Sequence, residues 1–395
     1  MASKGFEWRA TTARPRPMSN SKPSHSLRAR PWCVLIVLLA MLALAPSAGA
    51  AAKYRLLGHG YGHGVGMSQW GAYGYAEHGA NYEKIVKHYF TGTELEQFRS
   101  SKKVRVLLAT ATGDITFSGA KRACGYDLHP SSTYQASMRS GEVRLERDDG
   151  DRLAGCGSKL VAKGVSGPIE IGGQGTYRGD FVAAVSNGEL YAINQVPLDD
   201  YIQGVIPSEM PTSWPHAALE AQAVAARSYA LATDAGGELF DQYDDTRSQV
   251  YGGVSTETPE TNRAVRRTKL EVLSYDGEVI PAFFSSSSGG QTENVEFGFP
   301  GGTPAPYLKS VRDPYDDASP DHRWKETFTV SELESKLGGL VEGRLKDINV
   351  TERGESPRIV SAKIVGTGGT TEVTGSDLRL RLGLRSTWVK FKKLK

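Results

Sequence analysis

Glu209 is the residue in this chain whose setting most suggests proton chemistry. It lies in Pro207-Ser208-Glu209-Met210-Pro211, between two prolines that fix φ and remove backbone donors. A carboxylate held at a stiff turn can be aimed, and an aimed carboxylate serves as general acid or base. Taken alone, the same turn also reads as a solvated one. A second polar group stands in GHGYGHGVGMSQ, where His59, Tyr61 and His63 alternate with Gly58, Gly60, Gly62, Gly64 and Gly66. An extended chain would put the three side chains on one face. The glycine face would then admit a backbone or a ligand. His59 and His63 have no third ligand at a recognisable spacing, so no metal is expected. Neither G-x-G-x-x-G nor a phosphate-binding loop pattern occurs, and no cofactor is expected. Ser285–Ser288 run into Gly289-Gly290 without a nucleophile elbow or a triad histidine, so they read as a loop.

The elements that must position these groups follow from pattern. Thr212, Ser213 and Pro215 supply helix-start chemistry, and an alanine-dense helix is expected over Pro215–Thr233, with a shorter one over Asp199–Ile206. The start of that alanine-rich helix would favour a nearby anion and so oppose a raised Glu209 pKa. Glu220 reads as a surface or paired acid within it. Residues 56–96 pass from the glycine run to a helical pattern. Residues 103–195 are short alternating runs bounded by Gly, Pro, Asp and Ser, and read as strands. Residues 196–395 mix both, with a hairpin turning at Asp276-Gly277 and a last strand over Leu378–Trp388. No repeat or long linker interrupts the pattern. The expected fold class is α+β, one mixed globule of short β-strands and a few helices with a substrate groove.

Several of these stretches together resemble the SpoIID/LytB family of bacterial cell-wall proteins. They are Glu209-Met210, Trp214-Pro215, Ala221-Gln222-Ala223, Ala226-Arg227-Ser228-Tyr229, QVYGG (249–253), FFSSSSGGQT (283–292), PYLKSVRDP (306–314), LRLRLGLRSTW (378–388) and GHGVGMSQWGA (62–72). In the family's usual order the last of these closes the domain, whereas here it comes first, which is the layout of a circular permutation. On that reading Leu57–Phe90 packs beside the C-terminal strand, and His63 and Gln69 reach the groove of Glu209. The resemblance implies Glu209 as the catalytic residue and His63, Ser68, Gln69, Arg227, Tyr251, Ser287, Ser288 and Gln291 as substrate-binding residues. Trp70, Trp214, Tyr201 and Tyr251 are aromatics near the motifs. Some relatives hold zinc through Cys and His just before QVYGG. This chain has Asp241, Asp244, Asp245 and Ser248 there, so that site is not expected and something else must order the loop.

The activity the resemblance implies is that of a peptidoglycan lytic transglycosylase. Hydrolytic glycosidases need two carboxyl groups. A transglycosylase needs one, because the sugar's own 6-hydroxyl attacks. The alternative is a non-catalytic glycan-binding protein or an amidase enhancer, and the implied partners are glycan strands and an amidase or other cell-envelope protein.

Charge and cysteine usage narrow the setting. Residues 1–50 hold a basic leader, an apolar run over Cys33–Ala45 and small residues at Ser47–Ala50, the layout of a signal peptide. That run of 13 residues is short for a membrane span, so a membrane is expected only through an uncleaved leader. The chain's net charge is +3, but seven Lys or Arg and one Glu fall in residues 1–50, leaving −3 elsewhere. Nucleic-acid binding therefore loses its support. Cys124 and Cys156 are an even pair beyond the leader and are expected to form a disulfide in an extracytoplasmic, cell-wall-associated protein. The expected organisation is leader (1–50) followed by one domain (51–395), with the glycine motif and helices at 56–96, a β-rich part at 103–195 and the catalytic motif in 196–395.

Overall fold

The computed structural model describes residues 52–99, 102–164 and 167–394. The leader expected over 1–50 lies outside them. Eight helices occur among the described residues: α1 (Gln69–Glu77), α2 (Tyr82–Tyr89), α3 (Leu198–Glu209), α4 (His216–Ala232), α5 (Pro259–Arg267), α6 (Val295–Gly298), α7 (Val330–Leu337) and α8 (Gly375–Leu382). None is long and apolar enough to cross a membrane. With them go many short strands in several sheets, so the fold is the expected α+β globule.

Small side chains put α4 at the centre. Ala218, Ala221, Ala223, Ala225, Ala226 and Ala230 are buried on every side of it, and α1, α2, α3, α5 and the strand Glu271–Tyr275 all pack against it. A helix without bulky side chains lets its neighbours come close on all faces, which suits a central one. The β-rich part forms two sheets. One has seven strands, with Lys103–Ala111, Glu189–Pro197 and Asp180–Ser186 at its heart; the other has six, with Tyr134–Arg139 and Glu142–Arg147 near its middle. Phe117, Phe181, Leu145 and Leu160 belong to the large core these sheets share with the helices. Cys124 and Cys156 form a disulfide with Cα atoms 5.4 Å apart, tying the edge of the seven-stranded sheet to the edge strand Arg152–Gly157 of the other.

A second core lies under the C-terminal third. Its sheet has Lys53–Gly58 in the middle, antiparallel to Trp324–Thr329 on one side and Val389–Leu394 on the other. Tyr54, Leu56, Leu333, Leu337, Ile364, Leu378 and Val389 fill it. The segment 57–90 thus starts against Val389–Leu394: His59 N–H donates to the Trp388 carbonyl at 3.0 Å and its ring stacks on Trp388 at 4.8 Å.

Two expectations about local structure change. Leu378–Trp388 is not a strand. Its L-R-L-R alternation fits a period of two, but Thr374 and Asp377 form a reciprocal capping box and Gly383 supplies a left-handed C-cap, so α8 forms and the strand begins only at Val389. The glycine run is not extended either. Gly60, Gly62, Gly64 and Gly66 all have positive φ, so beyond Gly58 the chain winds instead of pleating.

Candidate active site

Glu209 occupies the last turn of α3 rather than a free turn. Tyr201, Ile202, Val205 and Ile206 bury the apolar face of that helix and carry it through Pro207. Pro207 is close enough to the end to cost little beyond one missing donor. Met210 is extended (φ −131°, ψ 146°), as a residue before proline should be, and ends the helix there. The carboxylate is therefore at the C-terminal end of its own helix, where the backbone dipole disfavours the anion. This reverses the electrostatics expected from the following helix start.

The carboxyl group opens into a hollow of about 540 Å³. Val250 N–H donates to Oε1 at 2.7 Å, and Gln69 Nε2 donates to the Glu209 carbonyl at 3.3 Å and to Oε2 at 3.5 Å. Burial raises the pKa of Glu209, and the Val250 and Gln69 bonds partly offset it. Tyr61, His63, Gln69, Ser248, Ser285 and Arg379 are among the other lining residues, and Glu209 is the one carboxylate among them. His63 Nδ1 accepts from Val65 N–H at 3.0 Å, which places its proton on Nε2. Desolvation holds its pKa down at about 4, so the imidazole is neutral at physiological pH. Trp70, Tyr73 and Trp214, all half-buried, form a cluster with ring centroids 4.8–5.5 Å apart; Trp70 follows Gln69 in sequence, but none of the three lines the hollow.

The structure brings His63, Gln69 and Glu209 together and sets the other named residues apart. Ser68, Ser287 and Ser288 are buried, and their hydroxyls bind two inward-facing acids. Ser68 Oγ and Ser287 Oγ each donate to Asp316 at 2.8 Å, and Ser288 Oγ donates to Asp313 at 2.7 Å. Asp316 also accepts from the backbone N–H groups of Ser288 and Gly289 and from His322 Nδ1, each at 2.9 Å. These three serines cannot meet a ligand without breaking that network. Arg227 is fully buried; its Nε donates to Asp199 at 2.8 Å and an Nη to the Glu271 carbonyl. Tyr251 is buried against Tyr177 and Tyr201, with its hydroxyl donating to Asn194 at 2.9 Å. The Gln291 amide donates to Ser310 Oγ at 3.0 Å and lies outside the lining. Glu220 is buried and pairs with Arg267 at 3.1 Å.

Sequence reasoning did not name Tyr61, Thr246, Ser248 or Arg379 as lining residues; of the run Ser285–Gly290, which the resemblance implies as a groove wall, Ser285 and Ser286 line the hollow. Met67–Ser68 pairs in parallel with Phe284–Ser285, and the strand ends there in a bend at Ser286, so Ser285 and Ser286 line the hollow while Ser287 and Ser288 turn inward onto Asp316 and Asp313. The loop before Val250 is ordered without a metal ligand set. Arg105 forks onto Asp241, Arg247 forks onto Asp245 and covers the Tyr243 ring at 3.7 Å, and Gln249 bridges the Tyr201 hydroxyl and the Ala226 carbonyl. Among the described residues no group of three His, Cys, Asp or Glu is placed to hold a metal ion.

The family model "Stage II sporulation protein" (SpoIID) matches residues 186–275, which span α3, Glu209, α4 and the loop donating Val250 N–H. The chain is 35% identical over 219 residues to "Stage II sporulation protein D" of Bacillus subtilis, covering 51% of this chain and 62% of that protein. It is 34% identical to the protein of that name from Bacillus amyloliquefaciens, over the same shares. It is also 42% identical over 135 residues to the "Amidase enhancer" of Bacillus subtilis, covering 34% of this chain and 18% of that protein. The chain thus spans less than two thirds of the length of the relatives it matches. The matched stretch carries the carboxylate and its backbone donor, and the quoted motifs on both sides of it supply much of the remaining lining; over that stretch the chain is similar to proteins of the SpoIID/LytB family.

Proposed function

We propose that the protein cleaves glycan strands of the bacterial cell wall as a lytic transglycosylase, with Glu209 as the single acid/base. The observation that carries this is one buried carboxylate of raised pKa in a hollow whose other lining residues offer no second carboxylate. In the proposed reaction the Glu209 carboxylic acid protonates the glycosidic oxygen as the bond from the anomeric carbon breaks. The 6-hydroxyl of the same sugar attacks that carbon and gives its proton back to Glu209. The product is a 1,6-anhydro sugar end, and no water is consumed. The raised pKa favours the acid form relative to an exposed glutamate, and the neutral His63 adds no positive charge that would lower it.

The likeness to an amidase enhancer favours a second reading, in which the groove binds glycan without cleaving it and an amidase is the partner. A leader and a disulfide support an extracytoplasmic setting for either reading. The rearranged motif order fits a circular permutation, and the pairing of Lys53–Gly58 with Val389–Leu394 supports it.

Mass spectrometry of strands freed of stem peptides, after incubation with the protein, separates the two readings. Cleavage predicts 1,6-anhydro ends, and Glu209→Gln is expected to lower their formation at least ~10²-fold while glycan binding persists. Binding without anhydro ends would establish the second reading. Unchanged product formation by the variant would remove Glu209 from the mechanism.

A further inference from the structure

The hollow of Glu209 shares Tyr61 and Arg379 with a second hollow of about 390 Å³, lined further by Leu380, Leu384 and Arg385. Arg385 is neutralised, with Nη1 3.1 Å from Asp321 Oδ1. Arg379 differs: among the described residues it has no carboxylate in salt-bridge contact, and its buried Nε has no hydrogen-bond partner. Desolvation lowers its pKa, and Tyr61 only partly opposes it. Arg358 lies fully buried behind it; desolvation holds its pKa down, Glu293 and Asp316 act against that, and the charge of Arg379 adds a smaller push downward. Arg379 is also well positioned. It sits on α8, whose start is fixed by the Thr374–Asp377 capping box and whose end is fixed by Gly383. A planar guanidinium on a rigid helix, opening into a second hollow whose own lining holds no acid, is suited to bind a carboxylate with paired N–H donors.

We propose that Arg379 is the specificity-determining residue of this groove and recognises a carboxylate borne by a sugar of the bound glycan. The ligand class is an acidic amino-sugar strand, and Arg379 fixes which sugar of the strand stands over Glu209. The inference rests on the glycan reading above, but not on catalysis.

The test uses the full chain carrying Glu209→Gln, so that binding is read without turnover. The probes are cell-wall glycan oligomers freed of stem peptides, with their lactyl carboxylates either free or methyl-esterified, titrated calorimetrically. The free form is expected to bind about 10- to 100-fold more tightly, as a charged hydrogen-bonded pair would give, and the difference should shrink as salt is raised. Adding Arg379→Gln should abolish the preference while leaving affinity for the ester unchanged, and Arg379→Lys should restore part of it. Equal binding of both forms by the protein with Arg379 intact would overturn the proposal, even if the arginine variants fail to fold. So would an equal loss on both forms in Arg379→Gln. If neither form binds, this proposal and the glycan reading both fall. If anhydro ends never form but the free acid is preferred, only the catalytic reading falls.

Discussion

Burial raises the pKa of both Glu209 and Asp313, and their surroundings separate their roles. Glu209 opens into the hollow, whereas Asp313 is sealed beneath the serine loop, accepting from the Tyr89 and Ser288 hydroxyls at 2.8 and 2.7 Å. Burial first, and the neighbouring Asp316 charge second, raise Asp313 from 3.8 to about 7. A folded-state pKa above the unfolded one means that the native state holds a proton the unfolded chain releases. The associated stability is fully present below the unfolded value near 3.8 and is lost as pH rises through about 7, an effect of up to roughly 4 kcal/mol. Asp313→Asn cannot ionise, so its thermal midpoint should fall less between pH 4 and 7 than that of the parent. The variant is expected to start about 1 kcal/mol lower, since its amide nitrogen cannot accept from Ser288. Parallel midpoint curves for the two proteins would show that Asp313 does not titrate in this window.

At the scale of elements, the site depends on how closely the winding glycine segment seats against the serine loop. Gly62 has φ +109°, and a Cβ built there would lie 2.6 Å from the Ser285 Cβ. Gly62→Ala combines backbone strain with that clash, so a loss of about 2–3 kcal/mol is expected, together with displacement of Ser285 from the hollow. Denaturant unfolding would measure the first, and unchanged stability would show that the loop has room to yield. Sequence patterns found most elements here. The alanine-rich helix, the short strands over 103–195 and the hairpin at Asp276-Gly277 are where periodicity and turn chemistry put them. The patterns erred where two signals compete. The L-R-L-R run obeys its caps instead of its alternation, and α3 continues through Pro207 because its apolar face is buried. Which serine faces the hollow was beyond local reading. Asp316, which draws both Ser68 and Ser287 inward, is 248 and 29 positions from them. Arg379 was missed for a related reason: an arginine gains significance only when the fold leaves it without a partner.

At the scale of the whole molecule, the first and last strands share one sheet, and the site inherits that arrangement. Lys53–Gly58 lies between Trp324–Thr329 and Val389–Leu394, Trp324 Nε1 donates to the Gly60 carbonyl at 2.9 Å, and α1 and α2 continue onto α4. The Cys124–Cys156 bond stabilises the β-rich part by roughly 3–4 kcal/mol in the chain-entropy model, but it does not touch this joint. Removing residues 51–95 would split the second core's sheet in two, uncover the faces of α4 that α1 and α2 cover, and take away Gln69 and His63 from the hollow. Each buried side chain of that segment, such as Tyr54, Leu56, Met67, Ile85, Tyr89 and Phe90, contributes about 1.5–3 kcal/mol by burial. Together these six come to about 9–18 kcal/mol, as large as the whole 5–15 kcal/mol by which a domain is usually stable. The truncated chain is therefore expected to be unfolded or aggregated, with no cooperative thermal transition and no glycan binding. Supplying residues 51–95 as a separate peptide should restore little, because the association would have to replace an intramolecular sheet. A soluble truncation with a sharp transition and intact glycan binding would show instead that the segment is an accessory piece, and that the hollow is complete without it.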